Sequence, residues 1–162
     1  MSELPRIGIG FDVHRLTPKR RLVLGGVELE YPLGLEGHSD ADVLTHAVID
    51  AVLGALGQGD IGKHFPDTEA EYKDADSLRL LEKVRALADR AGCRLGNLDV
   101  TVIAQNPKLA PHLPAMKANL ARVMQCEEGR INLKATTTET LGFTGRGEGI
   151  AALAVVLLAA QA

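Results

Sequence analysis

The feature that most constrains this chain is an unbroken apolar run from Ile150 to Ala160 near its C-terminal end. A membrane-spanning helix needs about 20 such residues, so this run is too short to cross a bilayer. Strands that lose alternation and become uniformly apolar are typical of the centre of a sheet, where both faces are covered. We therefore expect a central strand. Because the chain has few helices left to cover a second face, we expect a partner subunit there.

A second strand is predicted from the alternation of residues 6–14. Ile7, Ile9, Phe11 and Val13 lie on one face, which we expect to face the core, and Gly8, Gly10, Asp12 and His14 lie on the other. The first helix is predicted over 44–56, with Ser39 and Asp42 resembling a capping box that places His38 and Ser39 at its N-terminus. Such a terminus favours an anion.

The other elements follow from periodicity and from Gly and Pro positions. They are a strand over 22–31 interrupted at Gly25-Gly26, helices over 77–91 and 111–125, and strands over 98–104 and 131–138. The resulting order, β-β-α-α-β-α-β-β, indicates the α/β class: a two-layer sandwich of a mixed four-stranded sheet with helices on one face. A length of 162 residues fits a single domain, 1–162.

Composition excludes several classes of protein. A net charge of -3 and an aromatic content of 3% argue against a nucleic-acid partner. The two cysteines form no CxxC pair, which argues against a disulfide framework or a thiolate zinc site. No signal peptide is evident at the N-terminus. We expect a cytoplasmic protein with no membrane partner.

Three residues with metal-ligand chemistry are candidates for one site. Asp12 and His14 project from one face of a strand because they are two residues apart, and His46 lies on the first helix between Asp42 and Asp50. One carboxylate and two imidazoles leave an open position on a zinc ion, the catalytic arrangement. Gly8 and Gly10 would let a substrate or another backbone approach closely. The alternatives are a surface Asp-His pair and a solvated helix face.

Several segments are rich in small and polar residues, the groups that handle phosphates. They are His38-Ser39, the loop 59–67, the strand end 104–108, the run 134–139 and the segment 142–149. Hydroxyls, a lysine, an arginine and a metal together suit phosphoryl transfer, where catalysis is mostly positioning and charge neutralisation. Ordinary β-propensity of the threonines and a flexible turn are the alternatives for the last two segments. No P-loop or GxGxxG motif is present, which disfavours Walker-type kinases and Rossmann dehydrogenases.

With these residues in view, the sequence resembles the 2-C-methyl-D-erythritol 2,4-cyclodiphosphate synthases of the non-mevalonate isoprenoid pathway. The resemblance covers nearly the whole chain. It rests on GFDVH at 10–14, HSDAD at 38–42 with His46, GDIG at 59–62, FPDT at 65–68 and KATTTETLGFTGRGEG at 134–149. It implies a lyase that releases CMP from a CDP-linked methylerythritol 2-phosphate as the cyclic diphosphate forms. It also implies a homotrimer with active sites between adjacent subunits.

The resemblance also implies roles for individual residues. Asp12, His14 and His46 would hold one zinc ion per subunit, and Glu139 a magnesium or manganese ion on the substrate diphosphate. His38 and Thr137 would stabilise the transition state. The implied substrate contacts are Ser39, Asp60, Ile61, Gly62, Phe65, Pro66, Asp67, Thr68, Glu69, Ala104, Gln105, Asn106, Pro107, Lys108, Leu109, Ala110, Thr136, Thr138, Phe143 and Arg146. Phe11, Phe143 and Arg146 would lie toward a central cavity that can accept an isoprenoid diphosphate.

Two other functions are compatible with parts of this pattern. One is a metal-dependent phosphohydrolase that uses bound water as the nucleophile. The other is a trimeric module that binds an isoprenoid diphosphate without catalysis. Such a module would not need Asp12, His14 and Glu139, all of which are present.

Overall fold

The computed structural model describes residues 4–161. Residues 1–3 and residue 162 lie outside that range. The ends of the predicted domain 1–162, and the N-terminal residues on which the expected absence of a signal peptide rests, therefore fall outside the described residues. The strands are β1 (Arg6–Pro18), β2 (Leu22–Leu24), β3 (Val27–Leu29), β4 (Leu33–Leu35), β5 (Cys93–Ile103), β6 (Ile131–Thr136) and β7 (Gly149–Ala160). The helices are α1 (Val43–Leu56), α2 (Ile61–His64), α3 (Ser77–Arg90), α4 (Leu113–Met124) and α5 (Gly142–Gly145).

The main sheet has five strands in the order β4-β1-β7-β5-β6. Strands β5 and β6 are parallel and the other neighbours are antiparallel, so the predicted mixed sheet is confirmed. The predicted count of four strands is wrong. The added edge strand β4 pairs only three residues with the end of β1, and so short a segment carries no readable alternation.

The predicted interrupted strand over 22–31 is instead a separate hairpin of β2 and β3. Its two-residue turn is formed by Gly25 and Gly26, at φ of 55° and 71°. Both angles lie in the left-handed region, which a tight hairpin turn requires and which glycine adopts without steric cost.

Strand β7 is central, as its apolar sequence predicts, with β1 on one side and β5 on the other. Ile150, Ala154 and Leu158 on its helix-facing side are fully buried. Leu153 and Val155 on the other side remain 37% and 42% exposed. The helices therefore cover one face of the sheet, and the second face stays open in the single chain.

The expected orientation of β1 is wrong. Ile7, Ile9 and Phe11 are 71%, 66% and 58% exposed, so this apolar set lies on the open face. The face toward the helices carries Gly8 and Gly10. The alternation of residues 6–14 correctly predicts a strand. Alternation alone does not determine which of the two faces packs against the helices.

The long helices lie near their predicted positions, with differences at their starts. Helix α1 begins at Val43 and its N-cap is Asp42, so His38 and Ser39 lie in the preceding loop and not at the helix terminus. Helix α4 begins at Leu113, after a 3-10 turn that contains Pro111. The four-residue helices α2 and α5 are too short to show periodicity. No helix within residues 4–161 combines the length and apolar character needed to cross a membrane.

Candidate metal and phosphate site

The site depends on a close approach of helix α1 to strand β1. A Cβ placed on Gly10 would lie 1.8 Å from the carbonyl oxygen of Ala47, and one on Gly8 would lie 1.8 Å from that of Ala51. The glycines therefore let a second backbone approach, one of the two uses expected from the sequence. Ala47 of α1 lies against Gly10 of β1. His46, the residue before Ala47, can therefore reach Asp12, two residues beyond Gly10 on the strand.

Three ligand atoms converge where the helix meets the strand. His14 Nε2 lies 2.9 Å from Asp12 Oδ2, and His46 Nδ1 lies 3.2 Å from the same oxygen. The two imidazole nitrogens are 3.2 Å apart. His46 is buried, Asp12 and His14 are half-buried, and all three line the same cavity. The surface-pair alternative is therefore wrong.

The chemistry of this donor set fits a divalent cation. The other nitrogen of His14, Nδ1, lies 2.7 Å from the carbonyl oxygen of Glu36 and must carry the proton, which leaves a lone pair on Nε2. Asp12 Oδ2 is buried and has no well-aligned hydrogen-bond donor among the described residues. Lone pairs gathered this closely repel one another unless a cation lies among them. A tetrahedral ion with bonds of about 2.0–2.1 Å holds its ligands about 3.3 Å apart, close to the observed spacing.

The pKa shifts of Asp12 and His14 also indicate that positive charge is favoured at this cluster. Burial alone would raise the pKa of Asp12, but the favourable interaction of its ionised form with the adjacent His14 and His46 outweighs burial and holds that pKa far below its ordinary value. Burial would lower the pKa of His14, but Asp12 and the Glu36 carbonyl raise it overall. A proton on His14 thus partly supplies the positive charge that the cluster requires.

The two aspartates flanking His46 on α1 serve other purposes. Asp42 is fully buried and accepts hydrogen bonds from the backbone N–H groups of Gly25, Gly26 and Thr45. Asp50 accepts a 2.8 Å hydrogen bond from the backbone N–H of Ile61 and so fixes the start of α2. The alternative of a solvated helix face is wrong for Asp42 and His46, which are both buried.

A cavity of about 450 Å³ opens beside the three ligand atoms. Its lining includes the transition-state candidate His38 and seven of the expected substrate contacts: Ser39, Ile61, Gly62, Phe65, Pro66, Asp67 and Thr68. Asp60 does not line it. The Asp60 side chain caps α2 by accepting from the backbone N–H of Lys63, 3.0 Å away. Glu69 contributes its carbonyl oxygen, which lies 3.0 Å from His38 Nε2 and fixes that ring.

The expected substrate contacts 104–110 and Thr136, together with the transition-state candidate Thr137, line a different cavity, of about 290 Å³. It comprises Ala104, Gln105, Asn106, Pro107, Lys108, Leu109, Ala110, Ala135, Thr136 and Thr137. The two cavities share no lining residue. A single chain therefore presents the expected site residues in two separate cavities.

The loop with Glu139 borders the second cavity. The backbone N–H of Thr140 donates to Gln105 Oε1 at 3.2 Å, which ties this loop to the strand end after β5. Glu139 and Thr140 have φ of 52° and 66°, a left-handed conformation that is uncommon outside glycine and recurs at functional sites. The Glu139 side chain is exposed. The Thr138 hydroxyl is engaged by Leu141 and Thr144 and so braces the loop.

Phe143 and Arg146 lie in and just after α5. Phe143 is 41% exposed, and Arg146 pairs with Glu148 at 2.9 Å on the surface. Within one chain neither residue lines either of the two cavities.

Some residues at the site have no signal in the sequence. Tyr72 and Leu80 line the first cavity and come from segments far along the chain. Ser77, which the sequence identifies only as a helix-start residue, contacts His46. Asp40, for which the sequence predicts no role beyond its place in the HSDAD segment, contacts Ser77. A hydroxyl after Asp76 is an ordinary cap pattern, so nothing local separates these residues from structural ones.

Comparisons with known proteins agree with this geometry. The model of the YgbB family matches residues 5–159. A 2-C-methyl-D-erythritol 2,4-cyclodiphosphate synthase of Geotalea uraniireducens (strain Rf4) is 63% identical over 153 residues, 94% of this chain and 98% of the relative. One from Halalkalibacterium halodurans is 61% identical with the same coverage.

Solved structures with the same fold include an IspF of Plasmodium falciparum in complex with CDP. It superposes with a TM-score of 0.88 at 33% identity over 100% of both chains. The bifunctional IspDF from Campylobacter jejuni superposes with a TM-score of 0.94 at 46% identity, over 98% of this chain and 43% of that one.

Proposed function

This chain belongs to the YgbB family, and from that membership we propose that it catalyses the reaction of the 2-C-methyl-D-erythritol 2,4-cyclodiphosphate synthases. The substrate is 4-diphosphocytidyl-2-C-methyl-D-erythritol 2-phosphate, and the products are the 2,4-cyclodiphosphate and CMP. The observation that carries the proposal is the convergence of Asp12, His14 and His46 in the wall of a cavity that Ser39 and His38 also line. We place the enzyme in the cytoplasm, in isoprenoid biosynthesis.

Asp12, His14 and His46 would hold a zinc ion, because three mixed ligands leave one position for a substrate oxygen. A bound zinc ion supplies Lewis-acid polarisation of the β-phosphate. The residues of the chain do the rest. Ser39 is positioned to donate its hydroxyl to a phosphate oxygen in the cavity, and His38 is held by Glu69 at the cavity wall.

The reaction needs no nucleophile from the protein. An oxygen of the substrate's 2-phosphate attacks the β-phosphorus, forming a P–O bond, while the bond to the bridging oxygen breaks and its electron pair leaves with CMP. Attack within one molecule gains chiefly from enforced proximity. We assign Phe65 and Pro66 to the wall that folds the substrate back on itself, and Asp60, through its cap on α2, to fixing Ile61 and Gly62.

The two separate cavities support a homotrimer whose active sites lie between adjacent subunits, each site combining the first cavity of one subunit with the second cavity of its neighbour. One subunit supplies the metal half, and its neighbour supplies Thr136 and Thr137 with the loop that holds Lys108. Glu139 beside that loop would bind magnesium or manganese on the diphosphate. Thr137 Oγ1 accepts the backbone N–H of Glu139 at 3.2 Å, which leaves its own hydrogen for a substrate oxygen.

The open face of the sheet supports the same assembly. Ile7, Ile9, Phe11, Leu153 and Val155 form an exposed apolar patch on the paired strands β1 and β7. Large contiguous apolar patches are rare on proteins that stay monomeric. Trimer packing through this face would place Phe11 near the axis. We assign Phe143 and Arg146 to a central cavity where the guanidinium can meet an isoprenoid diphosphate.

Two experiments test the proposal. Purified protein should contain one zinc per subunit, and incubation with the CDP-linked substrate should yield CMP and the cyclic product. Release of linear phosphate instead would indicate a phosphohydrolase. Protein without bound divalent metal would refute the metal site.

The assembly is tested separately by sedimentation. Ile9→Glu on the open face should dissociate the trimer. Ala118→Glu, at an exposed position of α4, should leave it intact. A trimer that survives Ile9→Glu unchanged would rule out packing through β1 and β7.

A further inference from the structure

The outer nitrogen of His46 points away from the proposed metal into a chain of polar groups. His46 Nε2 lies 2.8 Å from Ser77 Oγ and 3.1 Å from Ser39 Oγ. His46, Ser77 and Ser39 are all buried, and Ser77 is fully so. Water therefore does not compete for these hydrogen bonds, and the protein itself sets which nitrogen of His46 carries the proton.

The position of that proton follows from Asp40. The Asp40 carboxylate accepts from the Ser77 hydroxyl in a short contact through Oδ1, and its Oδ2 accepts from the Ser77 backbone N–H at 3.0 Å. A carboxylate has no proton to donate, so the Ser77 hydroxyl must donate to it. Ser77 Oγ then has only lone pairs to offer His46. His46 Nε2 must therefore be the protonated nitrogen, and Nδ1 carries the lone pair.

We propose that Ser77 and Asp40 are positioning residues that hold His46 in its Nε2–H tautomer and aim Nδ1 at the metal. This inference rests on the metal site proposed above. The opposite tautomer would make Ser77 donate to His46 and leave its oxygen facing the Asp40 carboxylate within hydrogen-bond distance. That arrangement is repulsive unless Asp40 is protonated.

The imidazole of His14 is held in one tautomer in a comparable way, by a different hydrogen-bond partner. His14 Nδ1 donates to the backbone carbonyl of Glu36, which fixes the Nε2 lone pair toward Asp12. Both rings are thus set by a partner on the side away from the metal, the usual support of histidine ligands. For His46 that partner is a side chain backed by a carboxylate, so it can be removed by mutation.

The hydrogen-bonded series Asp40–Ser77–His46, called the relay below, connects three separate parts of the chain. His46 comes from α1, Ser77 from the first turn of α3, and Asp40 from the loop that carries His38 and Ser39. Asp40 is fixed in turn, because its backbone N–H donates to the Ala75 carbonyl at 3.0 Å. The ring orientation of His46 therefore depends on correct docking of α3 and of the cavity loop.

The test is zinc affinity, measured by competition with a chromophoric chelator on the full-length protein. Ser77→Ala removes the hydroxyl but keeps the backbone hydrogen bond to Asp40. It should raise the zinc dissociation constant about 10- to 100-fold, the usual loss when the partner of a ligating histidine is removed. The control is Asp76→Ala, which removes the N-cap of the same helix without touching His46 and should stay within about twofold of wild type.

A double-mutant cycle then separates a relay from two independent contacts. If Asp40 acts through Ser77, Ser77→Ala combined with Asp40→Asn should bind zinc no more weakly than the weaker single variant. If the loss of zinc affinity in the double variant equals the product of the two single losses, the two residues act independently and the relay is overturned. Unchanged affinity in Ser77→Ala, or an equal loss in Asp76→Ala, would also overturn it.

A second measurement needs no variant. Long-range proton–nitrogen NMR of metal-free wild-type protein at pH 8 should show His46 protonated at Nε2, and protonation at Nδ1 would overturn the assignment. Wild-type protein that binds no zinc would overturn the metal site and the relay with it. Zinc binding that is insensitive to Ser77 would overturn the relay alone.

Discussion

A single methyl group on Gly10 should damage both the fold and the metal site. The structure leaves no space for it: a Cβ on Gly10 would lie 1.8 Å from Ala47 O and 2.7 Å from Ala51 N. Both atoms belong to the backbone of α1, so no side chain can rotate aside. To restore an ordinary contact of 3.4 Å, the helix must retreat about 1.6 Å from the strand.

The energetic cost follows from the rigidity of the neighbours. Extra methylenes in a packed core usually cost about 1–3 kcal/mol, and Gly10→Ala should reach about 3 kcal/mol or more because a whole helix must move. The same retreat carries His46 away from Asp12 and His14. Metal ligands tolerate errors of only about 0.2 Å in bond length, so zinc binding should be lost or strongly weakened.

The matched control is Gly54→Ala on the same helix. A Cβ there would lie 3.8 Å from Ile9 O and 4.0 Å from the Cα of Gly8, which is ordinary contact. Alanine is favoured over glycine inside a helix by about 1 kcal/mol, so this variant should be more stable than wild type by up to that amount.

The assay is urea unfolding of both variants, with zinc content measured on the same preparations. We expect the unfolding midpoint to fall for Gly10→Ala and to rise for Gly54→Ala. If Gly10→Ala keeps wild-type stability and zinc content, then the approach of α1 to β1 is not what positions His46, and the reasoning fails.

The other predictions concern buried groups, a loop anchor and pH. Asp42→Ala leaves four donated hydrogen bonds without an acceptor and should cost about 4 kcal/mol or more in urea unfolding, against about 1 kcal/mol for Asp76→Ala. Arg20 donates hydrogen bonds of 2.9 Å to the carbonyls of Leu35 and Ser39 and so anchors the loop that carries His38 and Ser39. Arg20→Ala should loosen this loop, so in steady-state kinetics KM should rise more than kcat falls. Arg20→Lys should not restore the wild-type KM, because lysine lacks the forked guanidinium that reaches both carbonyls. Zinc must displace the proton on His14, whose folded pKa is raised, so chelator competition should show weaker binding as pH falls through that pKa and constant binding above it.

The sequence predicted that Asp12, His14 and His46 come together because their geometry is mostly local. Asp12 and His14 share a face by the two-residue period of a strand, and His46 needed only a helix packed on that strand. The supporting residues depend on tertiary structure. Ser77 reaches His46 across 31 positions of sequence, and no spacing rule covers such a contact. The capping residue of α1, predicted as Ser39, was wrong for a related reason: Asp42 caps the helix while buried against the Gly25-Gly26 turn, which lies elsewhere in the sequence.

The reversed orientation of β1 follows from the kind of packing used. Normally the larger apolar side chains turn toward the helices, and that rule predicted Ile7, Ile9 and Phe11 inside. Here the interior is built from helix backbone lying on glycine, so the apolar set faces outward. The open face is not apolar throughout: on β5 and β6 it carries Asp99, whose carboxylate meets Lys134 Nζ at 2.7 Å. The large exposed apolar residues of this face, Ile7, Ile9, Phe11, Leu153 and Val155, lie on the paired strands β1 and β7, on the opposite side of β1 from Asp12 and His14. The trimer proposed above would therefore pack through a surface that is separate from the one that carries the metal cluster.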